Sequence, residues 1–107
     1  MKPFTVLLTL LLLCLAANLT LAGAPAADLY KAKCAMCHGA DGSGNTPMGK
    51  KLEIQDLRAE TTRSQSDAQL MEILENGKGK MPGQKGRLSK DEIKQLVAHV
   101  REFAKKR

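Results

Sequence analysis

Cys34-Ala35-Met36-Cys37-His38 is the one stretch of this 107-residue chain where two cysteines and a histidine stand together, and Gly39-Ala40-Asp41-Gly42-Ser43-Gly44 follows it directly. The pattern is C-x-x-C-H, the arrangement used for covalent haem attachment. Two thiols three residues apart, on the last turn of a helix, reach the two vinyl groups on one edge of a porphyrin. The next residue, His38, then falls beneath the iron as the proximal ligand. Other uses of the same side chains fit less well. A thioredoxin-like dithiol needs a βαβ context, whereas this chain reads as helical. A structural zinc takes four ligands, and beyond the motif only His99 and Cys14 remain. A disulfide across the pair is awkward on a helix and leaves His38 and the Gly-rich loops without a role.

Working outward toward the N-terminus, Lys2 precedes an apolar run from Phe4 to Ala17, and no charge appears until Asp28. A basic start, an apolar run and then small residues is the pattern of a secretory signal peptide. The expected division is a signal peptide over residues 1–24, cut near 22–26, and one domain over 25–107. The run is short for a bilayer span, which takes roughly 20 apolar residues; the competing reading is an uncleaved anchor extending weakly through Asn18 and Thr20 to Ala27. Cys14 would leave with the peptide, and Leu13 before it is larger than a lipidation site accepts. Removing Lys2 and no acid lowers the formal charge from +6 to about +5 on about 83 residues. That domain has no Trp, and its only aromatics are Tyr30 and Phe103. Domains this small often need a staple, metal or cofactor to complete a core, and a large apolar cofactor would fill the gap.

Toward the C-terminus, three segments read as helices. The first runs from about Asp28, as N-cap, to Cys37, with Gly39 as its stop. The second opens at Ser66, which has capping-box spacing to Gln69, and ends at Asn76-Gly77. The third opens with the box Ser89 and Glu92; Ile93, Leu96, Val97, Val100 and Phe103 follow at helical spacing as one buried stripe. Two Gly-rich loops, Gly39 to Gly49 and Gly77 to Gly86, lie between them. They are too much irregular chain for so small a bundle unless each wraps a ligand.

The order Leu29-Tyr30, Cys34-x-x-Cys37-His38-Gly39-Ala40-Asp41-Gly42-Ser43-Gly44, Gly77-x-x-x-Met81-Pro82 and a capped final helix resembles the class I c-type cytochromes across the whole mature chain. The resemblance implies an all-α, small cytochrome c-like fold. Three or more short helices and the Gly-rich loops would wrap one covalent haem c, and the first and last helices would cross. It also implies a single-electron carrier, not an enzyme, working as an exported monomer with the bacterial periplasm as its compartment.

A haem that only moves electrons needs both axial positions filled. Met36 lies within the attachment motif, Met71 falls on an apolar helical face as core filler, and Met48 is a distant candidate after Pro47. Met81 lies in Gly79-Lys80-Met81-Pro82-Gly83, and the match to the family's Met-Pro loop makes it the distal ligand. Thioether ligation raises the reduction potential. His99 flanks the apolar stripe where the family more often carries an aromatic, and reads as a packing histidine. The resemblance also gives Pro47 a part: its carbonyl would accept from the second ring N–H of His38, as ligating imidazoles usually require. The competing reading is an ordinary turn proline.

Two other functional classes remain. A haem enzyme or sensor needs an open distal site, against which Met81 argues. A membrane-tethered electron-entry subunit of a larger oxidoreductase uses the same motifs. As for partners, Lys78, Lys80, Lys85, Arg87 and Lys90 follow one another with no acid between Asn76 and Lys90. This is a positive rim that would steer redox proteins with acidic docking surfaces. Nucleic acid fits poorly, since no aromatics interleave the lysines. The Lys105-Lys106-Arg107 tail allows weak contact with an anionic membrane surface.

Overall fold

The computed structural model describes residues 25–105; the signal-peptide reading, Cys14, Lys106 and Arg107 lie outside them. Six helices occur among the described residues: α1 Ala26–Lys33, α2 Ala35–His38, α3 Pro47–Leu52, α4 Glu60–Arg63, α5 Asp67–Asn76 and α6 Lys90–Lys105. The only pairing of extended backbone among those residues is two isolated bridges, Lys78 with Met81 and Lys85 with Leu88. The expected all-α class is what the chain adopts.

The two capping boxes start their helices where the spacing places them. The Ser66 hydroxyl accepts from the Gln69 N–H while the Ser66 N–H donates to the Gln69 side chain, at 3.1 and 2.8 Å. Ser89 and Glu92 repeat the exchange at 3.1 and 2.9 Å. Each box gives two otherwise orphaned groups a partner.

The first helix differs from its expected form. Pro25 is its N-cap and Asp28 sits in the first turn, where a carboxylate favours the positive end of the helix dipole. The expected continuous run to Cys37 is broken at Cys34, whose φ of −123° leaves the helical region. The Cys34 carbonyl then accepts from the N–H groups of both Cys37 and His38, which restarts the chain as α2. The break therefore falls at the first attachment cysteine, and the second lies within α2.

Two short helices stand in segments read as loop. In α3, Thr46 caps the Gly49 N–H at 2.8 Å and Pro47 takes the first helical position, where its missing N–H costs nothing. The four residues of α4 have no side-chain cap; an exposed Arg63–Glu60 ion pair spans them.

The core joins the two ends of the described chain. Leu29 and Tyr30 of α1 pack with Leu88 and with Ile93 and Leu96 of α6, the last two being 2% and 1% exposed. The expected α6 stripe holds: Val97 is buried as well, and Val100 and Phe103 pack half-buried against the cluster. Tyr30, His99 and Phe103 form a triangle of rings with centroids 5.0 to 5.2 Å apart. Gly42, at φ +78°, passes so close that an added Cβ would lie 2.8 Å from the Phe103 ring. On the other side of α6, Arg101 bonds Asp67 at 2.6 Å and the Gln65 carbonyl at 2.7 Å, fixing α6 to the entry of α5.

Candidate haem site

The His38 turn is held from three directions. Buried Tyr30 donates its hydroxyl to the Gly39 carbonyl at 2.6 Å. Thr46 donates to the Cys37 carbonyl at 2.8 Å. The Gly44 N–H donates to the His38 carbonyl at 2.7 Å. Gly49 completes the clamp, since a Cβ there would stand 2.6 Å from the Cys37 carbonyl oxygen. The loop after the motif folds back under the cysteines because these donors and this absence of side chain let it.

Met81 is presented by a tight turn. The Lys78 N–H donates to the Met81 carbonyl and the Met81 N–H to the Lys78 carbonyl, at 3.1 and 3.0 Å. Gly77 and Gly79 take φ values of +81° and +57° inside or beside it, conformations that glycine adopts at little cost. Gly77 also meets the returning chain: a Cβ would lie 2.8 Å from the Gly83 nitrogen.

These two presentations share one cavity of about 350 Å³, lined among others by Cys34, His38, Met81 and Tyr30. Most of the remaining wall is apolar: Leu52 at the end of α3, Ile54 and Leu57 just after it, Ile73 and Leu74 from α5, Val97 and Val100 from α6. Lys78, Lys80 and Glu53 supply its charged side chains; Glu53 is the one non-glycine residue with positive φ, at 55°, among those described.

Of the five candidates for a second axial ligand, only Met81 lines this cavity. Met36 is 79% exposed and Met48 38%, Met71 packs half-buried against the core, and His99 lies in the ring triangle. Cys37 is half-buried beside the Thr46 clamp. Pro47 heads α3, and no hydrogen bond reaches His38 Nδ1, which is buried without a partner. The wall contributed by Leu52 to Thr62 was not among the sequence-derived site residues; it carries no regular periodicity, and the Thr46-Pro47 cap was its only local sign.

Burial holds the His38 imidazole below its usual pKa, which keeps the ring neutral, as a metal ligand must be. Burial raises the Cys34 thiol, with the neighbouring Cys37 adding to the effect. A neutral imidazole with an orphaned buried nitrogen, two free thiols, a thioether and an apolar wall are together the donor set and surroundings that fit a covalently bound haem.

The fold and site thus define a small helical domain built to enclose one haem. Residues 22–100 match the family model described as cytochrome C oxidase, cbb3-type, subunit III. Cytochrome c6 of Synechococcus sp. is 34% identical over 102 residues, covering 88% of this chain and 88% of that protein. Cytochrome c6 of Leptolyngbya boryana is 37% identical over 78 residues, covering 73% and 88%. Among solved structures, the KustC0563 c-type cytochrome superposes with a TM-score of 0.68 at 30% identity, covering 75% of this chain and 98% of that one. The chain belongs to the class I c-type cytochromes, and its cofactor is a covalently bound haem c.

Proposed function

We propose that this cytochrome is a soluble single-electron carrier, not an enzyme, exported after loss of residues 1–24 by a cut near 22–26. The haem is bonded to Cys34 and Cys37, and the iron is ligated by His38 and Met81. A bound haem c supplies one reversible ferric/ferrous couple. The chain's part is to hold both axial positions and to exclude competing ligands. The observation that carries this reading is that His38 and Met81, from separate segments, line one largely apolar cavity. The orphaned Nδ1 of His38 is the group that the Pro47 carbonyl would satisfy. Relatives bearing the name cytochrome c6 over most of their length support the carrier role.

The basic run Lys78 to Lys90 is exposed at each of its cations, and Lys78 and Lys80 also line the cavity. This rim steers redox proteins with acidic docking surfaces toward the site. The test is acid denaturation of the purified holoprotein followed by organic extraction, with a ferric spectrum beforehand. Haem that stays with the polypeptide, and the weak far-red band of Met-ligated haem, are the expected results; extractable haem or a missing band rejects the attachment or the ligation.

A second reading has its own observation. The matched family model is that of an oxidase subunit, so this domain is alternatively the electron-entry part of a larger membrane assembly. No helix among the described residues is long and apolar enough to cross a membrane; in this reading the apolar run that begins at Phe4 stays uncleaved as the anchor. N-terminal sequencing of the mature protein separates the two: a start near residue 23 to 27 supports the carrier, and a retained Met1 with membrane association supports the subunit.

A further inference from the structure

We infer that Thr46 is a positioning residue for His38, whose hydroxyl helps to set the reduction potential. The inference deepens the proposed haem ligation and rests on it. Thr46 Oγ1 accepts from the Gly49 N–H and donates to the Cys37 carbonyl, both at 2.8 Å. The first bond caps α3. The second spans nine residues of sequence and ends on the peptide that joins Cys37 to His38. A hydroxyl can accept and donate together, whereas an ionised carboxylate can only accept and a valine of the same shape can do neither.

Backbone bonds close the circuit. The His38 carbonyl accepts from the Gly44 N–H at 2.7 Å, and the Gly44 carbonyl accepts from the Thr46 N–H at 2.9 Å. The path from His38 through Gly44 and Thr46 back to Cys37 is therefore bonded at every step, and only its last link is made by a side chain. The Thr46 methyl adds little to this link, lying 3.6 Å from where a Gly39 Cβ would stand. The circuit governs Pro47. That residue follows Thr46 directly and its φ is fixed by its ring, so the Thr46 link sets where the Pro47 carbonyl stands against the His38 turn. His38 Nδ1 is buried without a partner, and the Pro47 carbonyl is its proposed acceptor. An acceptor there raises the basicity of a ligating imidazole, which favours ferric over ferrous iron. Cutting the Thr46 link lets the first turn of α3 draw away, weakens that acceptance and raises the potential. A residue that only capped α3 would change stability and leave the potential alone.

The experiment is potentiometric titration of the holoprotein as wild type, Thr46→Val and Thr46→Ser, with ferric spectra and with amide exchange measured in the reduced state. Thr46→Val should raise the midpoint potential and speed exchange of the Gly49 amide about tenfold, the scale of one lost hydrogen bond. The far-red band should persist, which places the change on the His38 side and not at Met81. Thr46→Ser keeps the hydroxyl and should match wild type in both potential and exchange. Thr46→Gly serves if Thr46→Val does not fold, because glycine is tolerated at a helix N-cap at little cost; it should raise the potential in the same way. A variant that loses stability or amide protection at the wild-type potential makes Thr46 a cap and nothing more. A shift in Thr46→Ser as large as that in Thr46→Val, or a fall in potential, also overturns the inference. In each of those cases the ligation reading stands. A wild-type spectrum without the far-red band sinks the ligation reading, and the inference with it.

Discussion

Tyr30 Oη lies 2.6 Å from the carbonyl oxygen of Gly39, so the first helix is bonded to the residue that follows His38. Tyr30 also packs against His99 and Phe103 and lines the haem cavity. One side chain thereby couples the helix crossing to the ligand turn.

Tyr30→Phe keeps the ring and removes the bond, leaving the Gly39 carbonyl with the Gly42 N–H as its remaining donor. A loss of about 1–2 kcal/mol is expected in denaturant unfolding of the holoprotein. Burial pushes the Tyr30 phenol above its ordinary pKa, so the folded state holds this proton more tightly than the unfolded chain. Its contribution is complete below pH of about 10 and is lost as pH rises beyond that. Stability of the wild type should therefore fall more steeply than that of Tyr30→Phe in the alkaline range. Parallel slopes would refute the assignment.

Met81→Ala should open the iron to added imidazole or cyanide and lower the reduction potential. His99→Ala should do neither, because His99 sits in the ring triangle and outside the cavity. Potentiometric titration of both variants decides the matter, and a potential drop in His99→Ala alone would reverse the ligand assignment.

The two glycine positions offer a contrast. Gly49→Ala would set a Cβ 2.6 Å from the Cys37 carbonyl and 2.9 Å from the Thr46 hydroxyl, forcing the clamp apart at a cost of about 3 kcal/mol or more. At Gly79 nothing stands within 4 Å of an added Cβ, and only its φ of +57° resists substitution. Gly79→Ala should cost about 1–2 kcal/mol. Melting temperatures of the two variants in the holoprotein give the comparison.

Gln84 is 9% exposed and its Oε1 is buried without a partner. Gln84→Leu removes the unpaired oxygen with little change of shape, so stability should stay level or rise by about 1 kcal/mol. A marked loss would show that Gln84 holds a partner, such as an ordered water, that the leucine displaces.

The positive rim predicts that electron transfer to the physiological acceptor slows as salt is raised, because the Debye length shrinks from about 10 Å at 0.1 M to about 3 Å at 1 M. Charge reversal at Lys80 and Lys85 should slow it more than reversal at Lys105 and Lys106. A rate flat with salt, or equally sensitive to both pairs, removes the rim from the docking surface.

What could be read in the residues beforehand follows a physical division. Helices α5 and α6 were legible at their starts because Ser66-Gln69 and Ser89-Glu92 encode their own caps locally. The α6 stripe was legible because its apolar spacing has a single period. The break at Cys34 was not, because it depends on a carbonyl that accepts from two residues further on, within a run whose composition suits a helix. Helix α4 was not, because nothing in Glu60–Arg63 caps it. Among the site residues named from motif and resemblance, Cys34, His38 and Met81 line one cavity. The Leu52 to Leu57 wall has meaning only once Gly42 and Gly44 are in place, since the Leu57 N–H donates to the Gly42 carbonyl and Gly44 packs on Ile54.

The packing of α1 against α6 has a consequence in time. Leu29 and Tyr30 have no core until Ile93 and Leu96 have been synthesised, because the residues that bury them come from the other end of the described chain. Contacts of such long sequence separation form late in folding. On the export route proposed for this protein, Cys34 and Cys37 would reach the far side of the membrane well ahead of the helix that closes the fold, and would stay open to the attachment machinery until α6 arrives.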